Sequence, residues 1–195
     1  MNAGFYQIGK ERISESNERA SDSVLYREHF LKLAIYTLAS IYITAFLLHF
    51  VWEMWQVPFY ADMVNAGHWQ ALLQCTKASL GDGVITLLAY LLACIVSGRD
   101  WQGPFKNKIA GWSVFLGAGL LITIGLELFA TKYLDRWQYS ELMPIVPYLD
   151  VGLVPLTQWL VLPPFTLWLS WIFVSGLRFG IAPSALQRTI SDSGN

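Results

Sequence analysis

The stretch LAIYTLASIYITAFLLHFVWEMWQV, residues 33 to 57, decides the fold. It contains neither Gly nor Pro, and its single charged side chain is Glu53. At about 1.5 Å per residue it is longer than the roughly 30 Å of hydrocarbon in a bilayer. Lipid offers the backbone no hydrogen-bond partner, so a run this long and apolar is predicted to be a transmembrane α-helix. Three further runs read the same way, at residues 78 to 98, 109 to 130 and 151 to 177. The expected fold class is therefore all-α: a polytopic membrane protein of four helices, occupying residues 31 to 180, between a mobile tail at 1 to 30 and a second tail at 181 to 195.

Composition agrees with that reading. Hydrophobic residues make up 54% of the 195 and charged residues 14%, where a soluble domain has about a quarter charged. A net charge of −1 gives no electrostatic footprint for nucleic acid. The basic residues are distributed unequally. Ten of the 13 lie in the N-terminal segment, the loop between the second and third runs, and the C-terminal tail, against Lys77, Lys132 and Arg136 elsewhere. Basic residues are retained in the cytoplasm, so both termini are expected there, and a bacterial inner membrane is the expected location. The first run is too long for a signal-peptide core and follows a charged segment, so it is expected to remain as an anchor. Trp52, Trp55, Trp69 and Trp137 fall near one predicted boundary and Trp101, Trp112 and Trp171 near the other, as interfacial belts do.

Outside the spans, Trp69, Leu72, Leu73 and Thr76 repeat at helical spacing, which predicts an interfacial helix leading into the second span. Pro144, Pro147 and Pro155 exclude one regular helix over residues 131 to 155, so that segment is expected to fold back over the helix ends. Cys75 and Cys94 are separated by about 28 Å of helix and cannot pair with each other.

Only three charged residues fall inside the spans, Glu53, Asp82 and Glu127, and all are acidic. Ionisable groups are expensive in hydrocarbon and mark function by default. The predicted topology collects all three in the outer leaflet. Tyr42, His49, Glu53 and Gln56 share one helix face, with His49 and Glu53 at i, i+4, an arrangement that suits a proton relay. The bland alternative is that Glu53 simply reaches the interface. Asp82 lies in Gly81-Asp82-Gly83, read either as a helix break or close helix approach beside a carboxylate, or as a helix entrance where Asp82 caps first-turn amides. Gly119, Thr123 and Glu127 share a face of the third span, and Gln158, Thr166 and Ser170 a face of the fourth, where Pro163 and Pro164 are expected to kink the helix.

With three His in the chain and no metal-type spacing, no metal site is expected, and no cofactor is specified. No nucleophile elbow or phosphate loop is present. Proton chemistry remains. A carboxyl group in hydrocarbon can donate a proton, and aromatic faces can stabilise a developing cation.

The segment His49-Phe50-Val51-Trp52-Glu53 resembles the H-x-x-x-E opening of the emopamil-binding, EXPERA-type membrane proteins, and Trp159 to Pro163 resembles a late Trp-Pro segment of theirs. That family has four or five helices and includes sterol double-bond isomerases, which implies acid catalysis in an aromatic pocket. Glu127 followed by Trp137-Gln138-Tyr139 is similar to motifs of membrane carotenoid hydratases and cyclases. Each likeness covers about a quarter of the chain, and neither family's full order of acidic residues is preserved.

The expected activity is acid-base chemistry on an isoprenoid or other membrane lipid. Glu53 and Glu127 are the expected proton carriers and His49 the orienting group. Asp82, Gln158, Trp137, Tyr139 and Trp159 line or support the pocket. The rival expectations are a non-catalytic subunit of a larger membrane complex and a proton-coupled carrier, which would need polar lining in the inner leaflet as well.

Overall fold

The computed structural model describes residues 3 to 97, 109 to 134 and 136 to 181. Expectations for the loop at 98 to 108 and for the tail from 182 onward fall outside the described residues. The chain divides into two units, Met1–Tyr36 and Thr37–Asn195. Helix α1 runs Ala3–Gln56, so it begins within the N-terminal tail. From residue 10 to the end of α1 no Gly or Pro interrupts it. In the first unit, an exposed i, i+4 ion pair joins Glu28 and Lys32 at 3.9 Å.

In the second unit, α1 ends in a 3-10 turn, Val57–Phe59, with Pro58 supplying the missing donor that stops the helix. A single turn, α2 (Ala61–Val64), precedes α3 (His68–Val96), α4 (Ile109–Lys132) and α5 (Leu153–Ile181). Among the described residues, four helices are thus long and apolar enough to cross a membrane, over Val24–Phe59, His68–Val96, Ile109–Lys132 and Leu153–Leu177. The helical segment expected to lead into the second span is continuous with it in α3, because nothing between His68 and Val96 breaks the hydrogen-bond ladder. The Gly81-Asp82-Gly83 triplet is neither a break nor a helix entrance, since it lies mid-helix. Close approach is what the structure has there: a Cβ on Gly83 would lie 2.9 Å from Tyr42 Cε2. Pro163 and Pro164 sit inside α5, which continues past them.

Between α4 and α5 the chain folds into a small cover. Strands β1 (Ile145–Val146) and β2 (Val151–Gly152) pair antiparallel, and the turn between them places Tyr148 and Asp150 at φ of 70° and 52°. Asp150 accepts a hydrogen bond from Lys132 Nζ at 3.1 Å. The cover is stitched to the segment after α1. The Ala61 N–H donates to the Gln138 carbonyl at 2.8 Å and the Ser140 N–H to the Phe59 carbonyl at 2.9 Å. These two bonds flank a bridge between Tyr60 and Tyr139. The expected fold-back over the helix ends is what forms.

Two apolar clusters frame the interior. One joins Ile41 of α1, Ala89, Tyr90, Ala93 and Cys94 of α3, Phe115 of α4 and Leu167 of α5. The other joins Tyr60, Met143 and Val154 beneath the cover, with Trp52, Phe59, Met63, Trp137 and Tyr139 packed on it. Along α1, His49 to Gln56 lie between Ile41 and Tyr60; along α5, Gln158 lies between Val154 and Leu167. A polar layer therefore separates the two apolar ones. Helices in lipid gain little from burying apolar surface, so close backbone approach carries the packing. At Gly119 of α4, an added Cβ would sit 2.6 Å from Cζ3 of Trp159 and closer still to Cε3.

A candidate acidic site between the helices

Four helices each contribute to the polar layer. From α1, His49 is fully buried and Gln56 nearly so, while Glu53 is partly exposed. Their i, i+4, i+7 spacing sets them on one stripe. From α3 comes Asp82, from α4 the buried Glu127, and from α5 the buried Gln158. The expected polar faces of α4 and α5 are the buried ones: Thr123 accompanies Glu127, and Thr166 and Ser170 accompany Gln158.

Gln158 is the hub. Its side-chain amide nitrogen stands 2.8 Å from His49 Nδ1, 3.3 Å from Glu53 Oε1 and 3.4 Å from Asp82 Oδ2. An amide NH2 has two hydrogens, so three acceptors compete for it. Asp82 Oδ2 is also 3.2 Å from His49 Nδ1, within range for direct proton exchange. Gln56 donates a further hydrogen bond to Glu53. The His49 ring lies against Trp159, with centroids 5.3 Å apart, so Trp159 fixes the imidazole from one side.

Glu127 forms the second half of the layer, within electrostatic range of Glu53 and Asp82. Three donors from the cover region reach it. The Tyr139 hydroxyl donates to Oε2 at 2.6 Å, Trp137 Nε1 to the same oxygen at 3.3 Å, and the Tyr60 hydroxyl to Oε1 at 3.4 Å. The first is short, as a charge-assisted O–H bond should be, and the last is long and weak. Burial first, and then the Glu127 charge, hold the Tyr60 phenol far above its ordinary range. Tyr139 is raised in the same way, again by burial and then by Glu127. Both therefore remain O–H donors across any ordinary pH.

No Lys or Arg among the described residues pairs with Glu53, Asp82 or Glu127. Among the described residues, no group of three or more His, Cys, Asp and Glu has the geometry to hold a metal ion. The arrangement can hold protons on an imidazole and two carboxyl groups that share Gln158, with a third carboxyl group, Glu127, in electrostatic range, beside the aromatic faces of Trp159 and Trp137.

All eight residues singled out from sequence, His49, Glu53, Asp82, Glu127, Trp137, Tyr139, Gln158 and Trp159, thus meet in one layer. Sequence reasoning missed Tyr60 and the part played by Trp52. Tyr60 follows the helix stop at Pro58, and only the bridge to Tyr139 turns it toward Glu127; no periodicity marks it. Trp52 reads as part of an interfacial belt, yet its indole nitrogen is buried and has no hydrogen-bond partner. The chain matches no family model, no curated protein and no solved structure, and its site stands on its own geometry.

Proposed function

We propose that this chain is a membrane-embedded enzyme that moves protons on and off an apolar lipid, with an isoprenoid chain as the preferred substrate class. In this reading the four helices cross a bacterial inner membrane with both termini in the cytoplasm, which sets the acidic layer in the outer leaflet beneath the cover. The uneven distribution of Lys and Arg supports that orientation. Cysteines placed at residue 141 and at residue 24 check it: an impermeant thiol reagent applied to intact cells should label only the first.

One observation carries the chemical reading. Carboxyl groups from three helices share one layer with a fully buried imidazole and no compensating Lys or Arg among the described residues. Ionisable groups are expensive in hydrocarbon, and carboxyl groups gathered there are suited to exchanging protons with a substrate that enters from lipid. Glu53, with Asp82 and His49 behind it, delivers a proton to one carbon of a double bond. The adjacent carbon becomes cationic and is stabilised by the faces of Trp159 and Trp137. Glu127, positioned by Tyr139, Trp137 and Tyr60, takes a proton from the neighbouring carbon. The double bond has then moved and the proton count of the lipid is unchanged. Return of the proton from Glu127 to Glu53 through the shared layer resets the site.

The test is exchange. Membranes carrying the protein, incubated in D2O with a total lipid extract, should incorporate deuterium into an unsaturated lipid, detected by mass spectrometry. Glu53→Gln and Glu127→Gln should each abolish it. Incorporation equal in both variants and in wild type would refute the enzyme reading. Stoichiometric co-purification with other membrane chains and no exchange would replace it with a subunit role.

A further inference from the structure

Three buried polar atoms at the end of α1 have no hydrogen-bond partner: His49 Nε2, Trp52 Nε1 and Gln56 Oε1. They occur at i, i+3 and i+7 of the stripe that also carries Glu53, so they face the same layer. Gln56 is only 3% exposed, and its amide nitrogen already donates to Glu53, which leaves the carbonyl oxygen as its one unpaired polar atom. Buried polar groups are almost always paired, and a cluster of three that is not asks for an occupant.

The chemistry of the unpaired atoms defines that occupant. Trp52 Nε1 is only ever a donor, and the Gln56 oxygen only ever an acceptor. Their residues lie four apart, about one turn of α1 and on the same stripe. A single hydroxyl between them would accept from the indole and donate to the amide. An ammonium group has donors alone and leaves Trp52 unpaired. A carboxylate or phosphate has acceptors alone, leaves Gln56 unpaired and sets an anion beside Glu53 and Asp82. A pure hydrocarbon satisfies neither.

We infer that the substrate is a lipid alcohol, whose hydroxyl docks between Trp52 and Gln56. This rests on the enzyme reading above and narrows it. With the hydroxyl held at the end of α1, the hydrocarbon chain leaves along the layer, past Glu53 and Trp159. Trp52 is then a binding residue that also anchors the apolar cluster beneath the cover, so substrate and cover meet on one side chain.

The experiment compares four probes of equal chain length on the purified full-length protein in mild detergent: farnesol, farnesyl methyl ether, farnesene and farnesylamine. Quenching of the intrinsic fluorescence of the nine Trp reports binding. Farnesol should bind about tenfold more tightly than the ether, which keeps the acceptor and loses the donor, the worth of one buried hydrogen bond. Farnesene should bind more weakly still. Gln56→Leu and Trp52→Phe should each remove the preference for farnesol while leaving farnesene binding in place. The wild-type probe series stands alone if either variant fails to fold.

Affinities within about threefold across the series, which a resident water molecule at this position would produce, overturn the inference, as does tightest binding of the amine. Alcohol selectivity without deuterium exchange into any lipid leaves the docking site and removes the enzyme reading. Exchange into lipids with no alcohol preference does the reverse.

Discussion

Replacing Gly119 with Ala tests the packing that fixes the site. The new methyl would lie 2.6 Å from Trp159 Cζ3, with Cδ2 at 3.5 Å. Carbon atoms in contact rest at about 3.5 to 4.0 Å, so the indole must retreat by about 1 Å. Trp159 is 2% exposed and packed at a tilt against His49, so it has little room to do so. Overpacking of this kind costs about 1 to 3 kcal/mol, partly offset by up to about 1 kcal/mol from the better helix propensity of Ala. Gly117 and Gly125 of the same helix supply the reference, because a Cβ there meets nothing within 4 Å. Their Ala variants gain the propensity without the clash. The difference in Tm between Gly119→Ala and either control should therefore be about 2 to 12 °C for a chain of this size, read by thermal unfolding in detergent. Displacing the indole by about 1 Å also moves the imidazole it supports, and misplacement on that scale lowers turnover by about 100-fold. Trp159→Phe, which lacks the benzo edge the methyl meets, should recover part of the Tm loss when combined with Gly119→Ala. Equal melting of Gly119→Ala and Gly117→Ala would refute the packing argument.

The other expectations concern the polar layer. Tyr139→Phe removes a 2.6 Å bond to Glu127 and should destabilise by about 1.5 kcal/mol or more, whereas Tyr60→Phe, losing a 3.4 Å contact, should cost under about 1 kcal/mol; chemical denaturation ranks them. Gln158→Leu strips the shared donor from His49, Glu53 and Asp82 and should cost more than either, about 3 kcal/mol or above. In the folded protein both phenols are raised above the ordinary tyrosine range of about 10. Their contribution to stability is therefore complete below pH 10 and is lost above it, where the unfolded chain ionises them and the folded chain does not. Melting between pH 8 and 11 should fall more steeply for wild type than for the Tyr60→Phe, Tyr139→Phe double variant. Absorbance at alkaline pH should show Tyr60 and Tyr139 ionising later than a free tyrosine.

Much of this was legible in the sequence because hydrocarbon punishes charge and irregular backbone. The four long helices follow from run length alone, and the rarity of charge within them singled out Glu53, Asp82 and Glu127. Faces were legible too: the spacing of His49 with Glu53, and of Gln158 with Thr166 and Ser170, predicts which side is buried. Starts of helices were not. The span is apolar enough to read only from residue 78, whereas the helix starts at His68, because the hydrogen-bond ladder tolerates the polar residues before it. The donors on Glu127 were legible only in part. Trp137 and Tyr139 stand close to it in sequence, but Tyr60 arrives through a pairing between two loops, 67 residues from its partner. Long-range loop pairing leaves no periodic trace. Nor does an unpaired indole nitrogen, which appears only when the surroundings of Trp52 are known.

The cover over the helix ends is tied to the very carboxyl group it shields. Tyr60, Trp137 and Tyr139 hold it down through Glu127, so each change in that group's charge alters the grip on the lid above it. By reciprocity, whatever pulls the lid away removes the donors that made a carboxylate tolerable there. Proton occupancy at one carboxyl group and the hold on the segment above it are thus two readings of a single equilibrium.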